Sequence, residues 1–193
     1  MSRPIQYNPN EVIINAMNLF WTKGYESTSV KDIVASTGMK PGSLYNLYGN
    51  KEGVFNAVLD KFSEINITIV NDVLDAPGNP LKNIENFLTT VVLKNILDEN
   101  TKGCLLVKTL MVVPANDKKI ENYISTYFDR VEFLIKKALE KAVSLGYTNV
   151  NPNSFSKFII MTIYGVHSYN KVHNNSDIIQ ENINILLDIL KAN

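Results

Sequence analysis

Apolar residues recur every three or four positions along nearly the whole chain, which is the spacing of one face of an α-helix. The first such face consists of Val12, Ile13, Ala16, Met17 and Phe20. Alternation of apolar and polar residues, the period of a β-strand, is never sustained long enough to support a sheet. Because 45% of the 193 residues are apolar, the chain can bury a core of ordinary size. The sequence therefore predicts an all-α protein.

Clusters of glycine, proline and asparagine divide this pattern into separate helices, and the strongest break is Ala76-Pro77-Gly78-Asn79-Pro80. We expect residues 1–50 to form an N-terminal three-helix domain and residues 51–193 to form a larger helical domain. The expected helix limits are Asn8 or Asn10 to Gly24, Thr28 or Ser29 to Gly38, Pro41 to Gly49, Lys51 to Leu74, Leu81 to Asp98, Cys104 to Pro114, Asn116 or Asp117 to Leu145, Pro152 to Asn170, and Ile178 to Leu190.

The charge balance limits the possible partners. Lys and Arg together number 19, and so do Asp and Glu, so the chain is not a polycation that coats nucleic acid or anionic lipid. The segment through Lys51 differs, because it carries five cationic and three acidic side chains and hence a net charge of +2. This sign suits an N-terminus that contacts DNA.

The single cysteine, Cys104, has no partner for an internal disulfide bond. With His167 and His173 alone it offers too few ligands for a zinc site, so we expect no metal and no cofactor. The N-terminus lacks the apolar core of a secretory signal, and no apolar run reaches the length of a membrane span. We therefore expect a cytoplasmic protein that makes no membrane contact.

The segment Thr28–Lys51 contains two short helical patterns joined by a turn at Ser36-Thr37-Gly38-Met39, which predicts a helix-turn-helix. A short second helix fits the DNA major groove, and its first turn offers free backbone N–H groups to a phosphate. By itself, the pattern also suits a helical hairpin packed into a bundle. The side chains expected at the DNA are Thr28, Lys31, Lys40, Pro41, Gly42, Ser43, Tyr45, Asn46, Tyr48 and Lys51.

A composite signature runs through the first ~55 residues. Its members are Val12-Ile13 through Phe20, Lys23-Gly24-Tyr25, Thr28-Ser29-Val30, Asp32-Ile33, Gly38, Pro41-Gly42-Ser43-Leu44-Tyr45, Tyr48 and Lys51-Glu52. This signature resembles the TetR family of bacterial repressors. Two positions depart from the family pattern: Leu47 stands where members often have His, and Pro41 stands where many have Lys. Both departures remove a donor that could contact a phosphate.

The resemblance implies a homodimeric transcriptional repressor, not an enzyme, that binds double-stranded operator DNA through its helix-turn-helix. It also implies a second domain that binds effectors and forms the dimer through its last two long helices, Pro152–Asn170 and Ile178–Leu190. Their apolar residues lie around most of the circumference, which agrees with such an interface. A small hydrophobic or electrophilic inducer would release the protein from its operator, with the helix Lys51–Leu74 as the lever between the domains.

Aromatic, methionine and histidine side chains at helical spacing are candidates for lining the effector site, and they equally suit a plain core. These candidates are Phe87, Met111, Tyr123, Tyr127, Phe158, Met161, Tyr164 and His167.

Cys104 is a candidate chemical sensor. It follows Gly103 at an expected helix start, where the helix dipole favours the reactive thiolate. The Gly103-Cys104-Leu105 stretch and the Gly165…Lys171 segment are similar to the branch of the family that represses genes for reductases detoxifying N-ethylmaleimide, quinones and reactive aldehydes. The similarity to this branch implies that Lys171 supplies a cation near the Cys104 thiol. The alternative is that Cys104 is a small, inert, buried residue.

Two other functions use some of the same residues. A helical thiol enzyme would need Cys104 as nucleophile in hydrogen-bond contact with His167 as base, together with an oxyanion site. A TetR-like binding module would keep the fold and lose operator recognition, but the retained Lys40, Tyr45 and Lys51 argue against it.

Overall fold

A computed structural model describes residues 8–98, 103–112 and 117–192. All regular elements within these ranges are helical, which confirms the predicted all-α class. The helices are α1 (Pro9–Lys23), α2 (Val30–Thr37), α3 (Pro41–Tyr48), α4 (Lys51–Leu74), α5 (Pro80–Asn86), α6 (Lys94–Leu97), α7 (Leu105–Leu110), α8 (Lys118–Ser144), α9 (Pro152–His173) and α10 (Ser176–Lys191). A π-helical stretch, Phe87–Leu93, joins α5 to α6 and is called the π segment below.

The first three helices begin and end where the sequence provides caps. Asn8, one of the two expected N-caps of α1, accepts a hydrogen bond from a backbone N–H at 3.1 Å. Ser29 and Asp32 form a capping box at the start of α2, and Gly38 ends α2 in the left-handed conformation at φ 68°. Pro41 lies in the first turn of α3, where its missing N–H costs no hydrogen bond. The local sequence therefore defines the helix-turn-helix.

An aromatic cluster holds the end of α1 to the start of α4. Phe20 and Phe55 are buried, with their ring centres 5.0 Å apart. Tyr25, in the connection between α1 and α2, packs on Phe55 at 4.6 Å. Lys51 Nζ lies 4.2 Å from the centre of the Tyr25 ring and donates a hydrogen bond to the Tyr25 carbonyl at 3.0 Å. This packing fixes the frame on which α2 and α3 are mounted.

The chain divides into two compact units, and the division lies inside α4, between Ile65 and Asn66. The first unit contains α1 to α3 and the first part of α4, and the second contains the rest of the described chain. The division by function, with residues 1–50 contacting DNA, stays a prediction.

The second unit is built around α8 and α9. Phe128 of α8 packs against Tyr164 of α9, with ring centres 4.7 Å apart. The Asn170 side-chain amide donates to the carbonyl of Ile96 at 3.2 Å, which ties α9 to α6. These contacts fix the positions of the side chains that project from α6, α8 and α9 into the interior.

The stretch predicted as one α-helix, Leu81–Asp98, consists of α5, the π segment and α6. The hydroxyls of Thr89 and Thr90 donate to carbonyl groups four residues earlier, at 2.8 and 2.6 Å. Such side-chain bonds compete with the backbone pattern of an α-helix and often bend it. Because apolar spacing does not distinguish a π stretch from an α-helix over one or two turns, the sequence pattern missed it.

The later helix limits follow the predictions within a few residues. Asp117 caps α8 by accepting from a backbone N–H at 3.1 Å. α9 continues past Asn170 to His173 and ends at Asn174, which is left-handed at φ 46°. Two expectations lie outside the described residues: the helix end at Pro114 and the cap Asn116.

Candidate nucleic-acid interface and effector cavity

α3 presents polar and aromatic side chains to solvent. Leu44 is fully buried and anchors the helix. Pro41, Gly42 and Asn46 are exposed, and the Tyr45 side chain is 49% exposed. A short exposed helix that carries an amide and a phenol has the shape and the donors to enter a DNA major groove.

The other candidates on α3 are less open. Ser43 and Tyr48 are half-buried, and burial raises the pKa of the Tyr48 hydroxyl, which therefore stays protonated as a hydrogen-bond donor. Leu47 is 67% exposed, although the family pattern often has His there. The helix thus offers an apolar contact where the resemblance implies a phosphate donor.

Lysines lie on the same unit as α3. Lys31 on α2 and Lys40 just before α3 are exposed. Lys51 is half-buried, because its ammonium group binds the carbonyl and lies over the ring of Tyr25. An ammonium group has three N–H donors, so this one bond does not preclude a phosphate contact.

Thr28 is the exception among the expected DNA contacts. Its side chain is 1% exposed, and its hydroxyl donates to the carbonyl of Gly24 at 2.6 Å. Its backbone N–H is also used, in a bond to the carbonyl of Tyr25 at 3.2 Å. The structure therefore corrects this expectation, because Thr28 secures the connection between α1 and α2 and does not face solvent.

Charge stabilises the start of α2. Lys23 Nζ lies 2.7 Å from Asp32 Oδ2, and the same oxygen accepts from the Ser29 hydroxyl at 2.6 Å and the Ser29 N–H at 2.8 Å. The bond from Lys23, followed by those from Ser29, holds the pKa of Asp32 well below its usual range. The carboxylate is therefore ionised at the positive end of the α2 dipole, where a negative charge is favourable.

A cavity of about 50 Å³ lies inside the second unit, with walls from the second part of α4, the π segment, α6, α8 and α9. None of the described residues that line it belongs to the Asp, Glu, Lys or Arg types. Its lining residues are Asn66, Val70, Phe87, Val91, Val92, Asn95, Cys104, Tyr127, Phe128, Val131, Ile163 and His167. The volume is far below the ~300 Å³ of a typical small site for drug-sized ligands.

Cys104 lines this cavity as the N-cap of α7, where its surroundings favour the inert alternative over the expected thiolate. Burial raises the pKa of the thiol to about 11. The backbone N–H groups of Leu106 and Val107 lower the pKa but offset only part of this effect. Because α7 has six residues, its dipole is too short to overcome the loss of water around the sulfur.

The structure brings His167 to the same cavity as Cys104, without joining them. No hydrogen bond between the two side chains occurs in the described part of the chain. The His167 side chain is 8% exposed, and burial lowers its pKa to about 4, so the ring is neutral near pH 7. A protonated thiol that does not contact its base lacks the activation that a thiol enzyme needs.

Several predicted effector residues lie at the cavity. Phe87, Tyr127 and His167 line it together with Cys104. Tyr164 packs behind the lining residue Phe128, and burial raises its pKa to about 12.

Five further candidates are absent from the lining of this cavity, so their role at an effector site stays a prediction. Met111, at the end of α7, and Tyr123, on α8, are half-buried elsewhere in the unit. Phe158 and Lys171 are exposed on α9, and Met161 is 63% exposed. The face of α9 that carries these side chains points away from the core, so apolar spacing alone overestimated the width of the buried stripe.

Sequence reasoning missed Asn66 and Asn95, the amide side chains of the lining. An amide among apolar helical residues gives little signal, because most such side chains lie at the surface. The run Thr89-Thr90-Val91-Val92 before Asn95 was the available clue, since β-branched residues with back-bonding hydroxyls disturb an α-helix.

The outer surfaces of α9 and α10 carry exposed apolar side chains. Phe158, Met161 and Val172 lie on α9, and Ile185 and Ile189 lie on α10. A groove of about 410 Å³ runs between the two helices and includes two of these residues, Phe158 and Ile185. Exposed apolar surface of this kind typically marks an interface with another molecule.

In the parts of the chain that the structure describes, no helix combines the length and apolar character that a membrane crossing requires. The same parts contain no group of three His, Cys, Asp or Glu side chains placed to hold a metal ion.

Comparison with known proteins gives matches over the N-terminal unit and over the whole chain. Residues 13–58 match the family described as bacterial regulatory proteins, tetR family. The HTH-type transcriptional repressor ComR of Escherichia coli K12 is 47% identical over 60 residues, which are 31% of this chain and 29% of ComR. The HTH-type transcriptional regulator YezE of Bacillus subtilis 168 is 22% identical over 193 residues, covering 98% of this chain and 100% of YezE.

A solved structure extends the similarity of fold to the second unit. It is a cysteine-substituted form of the TetR family transcriptional regulator CifR, complexed with 26-bp double-strand operator DNA. It superimposes with a TM-score of 0.84 at 20% identity, covering 98% of this chain and 100% of that chain. The matched proteins are transcriptional regulators and not enzymes. The helix-turn-helix of α2 and α3 therefore lies in a stretch that matches the N-terminal domain of the TetR family, and the whole chain shares the fold of TetR-family structures.

Proposed function

We propose that this regulator is a repressor that inserts α3 into the major groove of a two-fold symmetric operator. The exposed polar face of α3 is the observation that carries the proposal. The Asn46 amide matches the two hydrogen bonds that adenine offers in the groove, and the Tyr45 hydroxyl reaches base edges or phosphates. ComR, which is similar over this unit, is a repressor, and the CifR structure contains operator DNA.

Positive charge and helix termini supply the contacts that do not depend on sequence. The exposed Lys31 and Lys40 provide point charges for phosphates near α3. The α3 N-terminus begins with Pro41 and Gly42, so its backbone can approach a phosphate closely. Leu47 adds apolar surface at the edge of the face, suited to a sugar or a thymine methyl group.

The regulator acts as a homodimer through α9 and α10. Support comes from the apolar side chains on the outer surfaces of these helices, such as Met161 and Ile185. A second copy that covers this surface would remove it from water and would pair two α3 helices for the two halves of an operator.

A small molecule that binds the cavity of the second unit releases the protein from DNA. α4 starts directly after α3 and its turn, and it contributes Asn66 and Val70 to the cavity wall. An effector that favours a different position of this wall thereby changes the setting of α4 and α3. Non-covalent binding is favoured over modification of Cys104, because the half-buried thiol has a raised pKa and is protonated near pH 7.

The proposal is tested by fluorescence anisotropy with DNA from upstream of the protein's own gene and with a shuffled fragment of equal length. We expect tight binding to the first fragment, weakening about 10³-fold or more between ~50 and ~200 mM salt. Asn46→Ala should cost about 1–3 kcal/mol on the upstream fragment and leave binding to shuffled DNA unchanged. Lys31→Ala should weaken binding to both fragments alike and reduce the salt slope by about one.

Asn18→Ala is the matched control, because Asn18 is exposed on α1 outside the helix-turn-helix. Its affinity should equal that of the unmodified protein. Equal loss for the Asn46 and Asn18 variants, or equal affinity of the unmodified protein for both fragments, would refute recognition through α3.

A further inference from the structure

One polar atom in the cavity wall is buried without a partner among the described residues. This atom is Asn95 Oδ1, which accepts no hydrogen bond. A second polar group, the His167 ring, lines the same cavity, and the residue is 8% exposed. Burying an acceptor unpaired costs about 1–3 kcal/mol, so native proteins usually retain such an atom for a ligand or another function. Both groups line the same cavity, which makes it a polar site within an apolar shell.

The backbone holds these two groups in fixed positions. The carbonyl of Asn95 accepts from the Gly103 N–H at 3.0 Å. Gly103 has φ 106°, and a Cβ added there would lie 2.7 Å from His167 Nδ1, so glycine is needed for the close approach. The bond from Asn170 to the Ile96 carbonyl also links α9, which carries His167, to α6, which carries Asn95. The site is therefore built by several elements.

The residues that line the cavity disfavour a charged ligand. The described lining contains no Asp, Glu, Lys or Arg. Burial raises the pKa of the Cys104 and Tyr127 side chains and lowers that of His167, so all three are uncharged near pH 7. An ionised ligand would lose its hydration and find no counter-charge.

We propose that the cavity binds an uncharged, mainly apolar small molecule, such as a phenol-like alcohol or an amide, whose O–H or N–H group donates to Asn95 Oδ1 beside His167. This inference deepens the proposed effector role and rests on it for its regulatory meaning. The neutral imidazole of His167 offers one further donor and one further acceptor to the same polar group. Phe87, Val92 and Ile163 surround the apolar part.

The cavity must widen to hold such a molecule. Its volume is about 50 Å³, whereas a benzene-sized guest occupies a cavity of ~150 Å³. The π segment contributes Phe87, Val91 and Val92 to the wall directly before Asn95. Irregular π turns inside helices frequently accompany functional sites, and here the irregular turn borders the space that has to expand.

Thermal melting and calorimetry of the free protein test the ligand class with phenol, benzyl alcohol, toluene, benzoate and benzylamine. We expect phenol and benzyl alcohol to raise the melting temperature and to bind about tenfold more tightly than toluene, the loss typical of one missing hydrogen bond. Benzoate and benzylamine should give no shift at equal concentration. Equal binding of the charged probes, or no binding of the two alcohols, would overturn the proposal.

Substitutions at Asn95 and His167 test whether the probes bind in this cavity. Asn95→Leu should abolish the preference for phenol over toluene, and His167→Phe should reduce it. Asn122→Leu, an exposed change on α8, is the matched control and should keep the preference. A preference for phenol over toluene that survives in Asn95→Leu would contradict Asn95 Oδ1 as the acceptor. If that variant does not fold, the comparison of neutral with charged probes on the unmodified protein still tests the ligand class.

Operator binding is measured separately on the same preparations. If neutral probes bind without weakening DNA affinity, the cavity binds uncharged molecules as proposed, but these molecules do not release the protein from its operator. If only the charged probes release the protein from DNA, a small molecule controls DNA binding, but the proposed class of uncharged ligands is wrong.

Discussion

His167 couples the stability of the fold to pH. Burial lowers its pKa to about 4, whereas the imidazole of an unfolded chain titrates near 6.5. The unfolded state therefore binds a proton that the folded state excludes, so the stabilisation is complete above pH ~6.5 and is lost as the pH falls toward 4. Between pH 7 and pH 4 the unmodified protein should lose about 3 kcal/mol more unfolding free energy than His167→Gln.

Urea unfolding at both pH values gives this difference. His173→Gln is the control, because His173 is exposed at the end of α9. It should show the pH dependence of the unmodified protein. An identical pH dependence in the His167 and His173 variants would mean that His167 titrates normally in the fold.

Cys104 should react slowly in the folded protein. Its pKa of about 11 leaves at pH 7.5 a thiolate fraction roughly 300-fold smaller than that of a thiol with the ordinary pKa of ~8.5. Labelling by N-ethylmaleimide should therefore be at least about 100-fold slower in buffer than in concentrated urea. As the chain has one cysteine, mass spectrometry reports this site alone. Fast labelling of the native protein would restore the covalent sensor.

The capping box of α2 stabilises the helix-turn-helix that carries the recognition surface. Ser29 and Asp32 bond reciprocally at its start, and Lys23 adds a salt bridge to Asp32. Ser29→Ala should destabilise the protein by about 1 kcal/mol, as loss of an N-cap typically does. Ser27→Ala, an exposed change two residues earlier, should be neutral. Thermal melting of both variants tests this, and equal melting temperatures would show that the cap contributes nothing.

Elements with strong local signals could be predicted from sequence, and those that depend on tertiary contacts could not. The caps Asn8, Ser29 and Gly38 lie in their own helix ends, so the helix-turn-helix follows from adjacent residues. The π segment depends on packing around the cavity, which no periodicity records. Cys104 shows the same limit, because a helix terminus favours a thiolate, whereas burial, which no local pattern records, raises the pKa of the thiol.

Dimerisation should depend on the exposed apolar surface of α9 and α10. Met161→Glu combined with Ile185→Glu places two carboxylates on that surface and should convert the dimer to a monomer. Operator affinity should fall sharply, because one α3 helix then acts alone. Sedimentation velocity measures the mass. Phe133→Glu, an exposed apolar position on α8, is the control and should remain dimeric.

We expect two α3 helices to read the two halves of an operator through their exposed faces. Hydroxyl-radical footprinting of the DNA upstream of the gene shows whether they do. We expect two protected patches related by a two-fold axis, with centres about 10 bp or a multiple apart, and their disappearance in Tyr45→Ala and Asn46→Ala. A single unsymmetric patch, or protection that persists unchanged in both variants, would exclude paired recognition through α3.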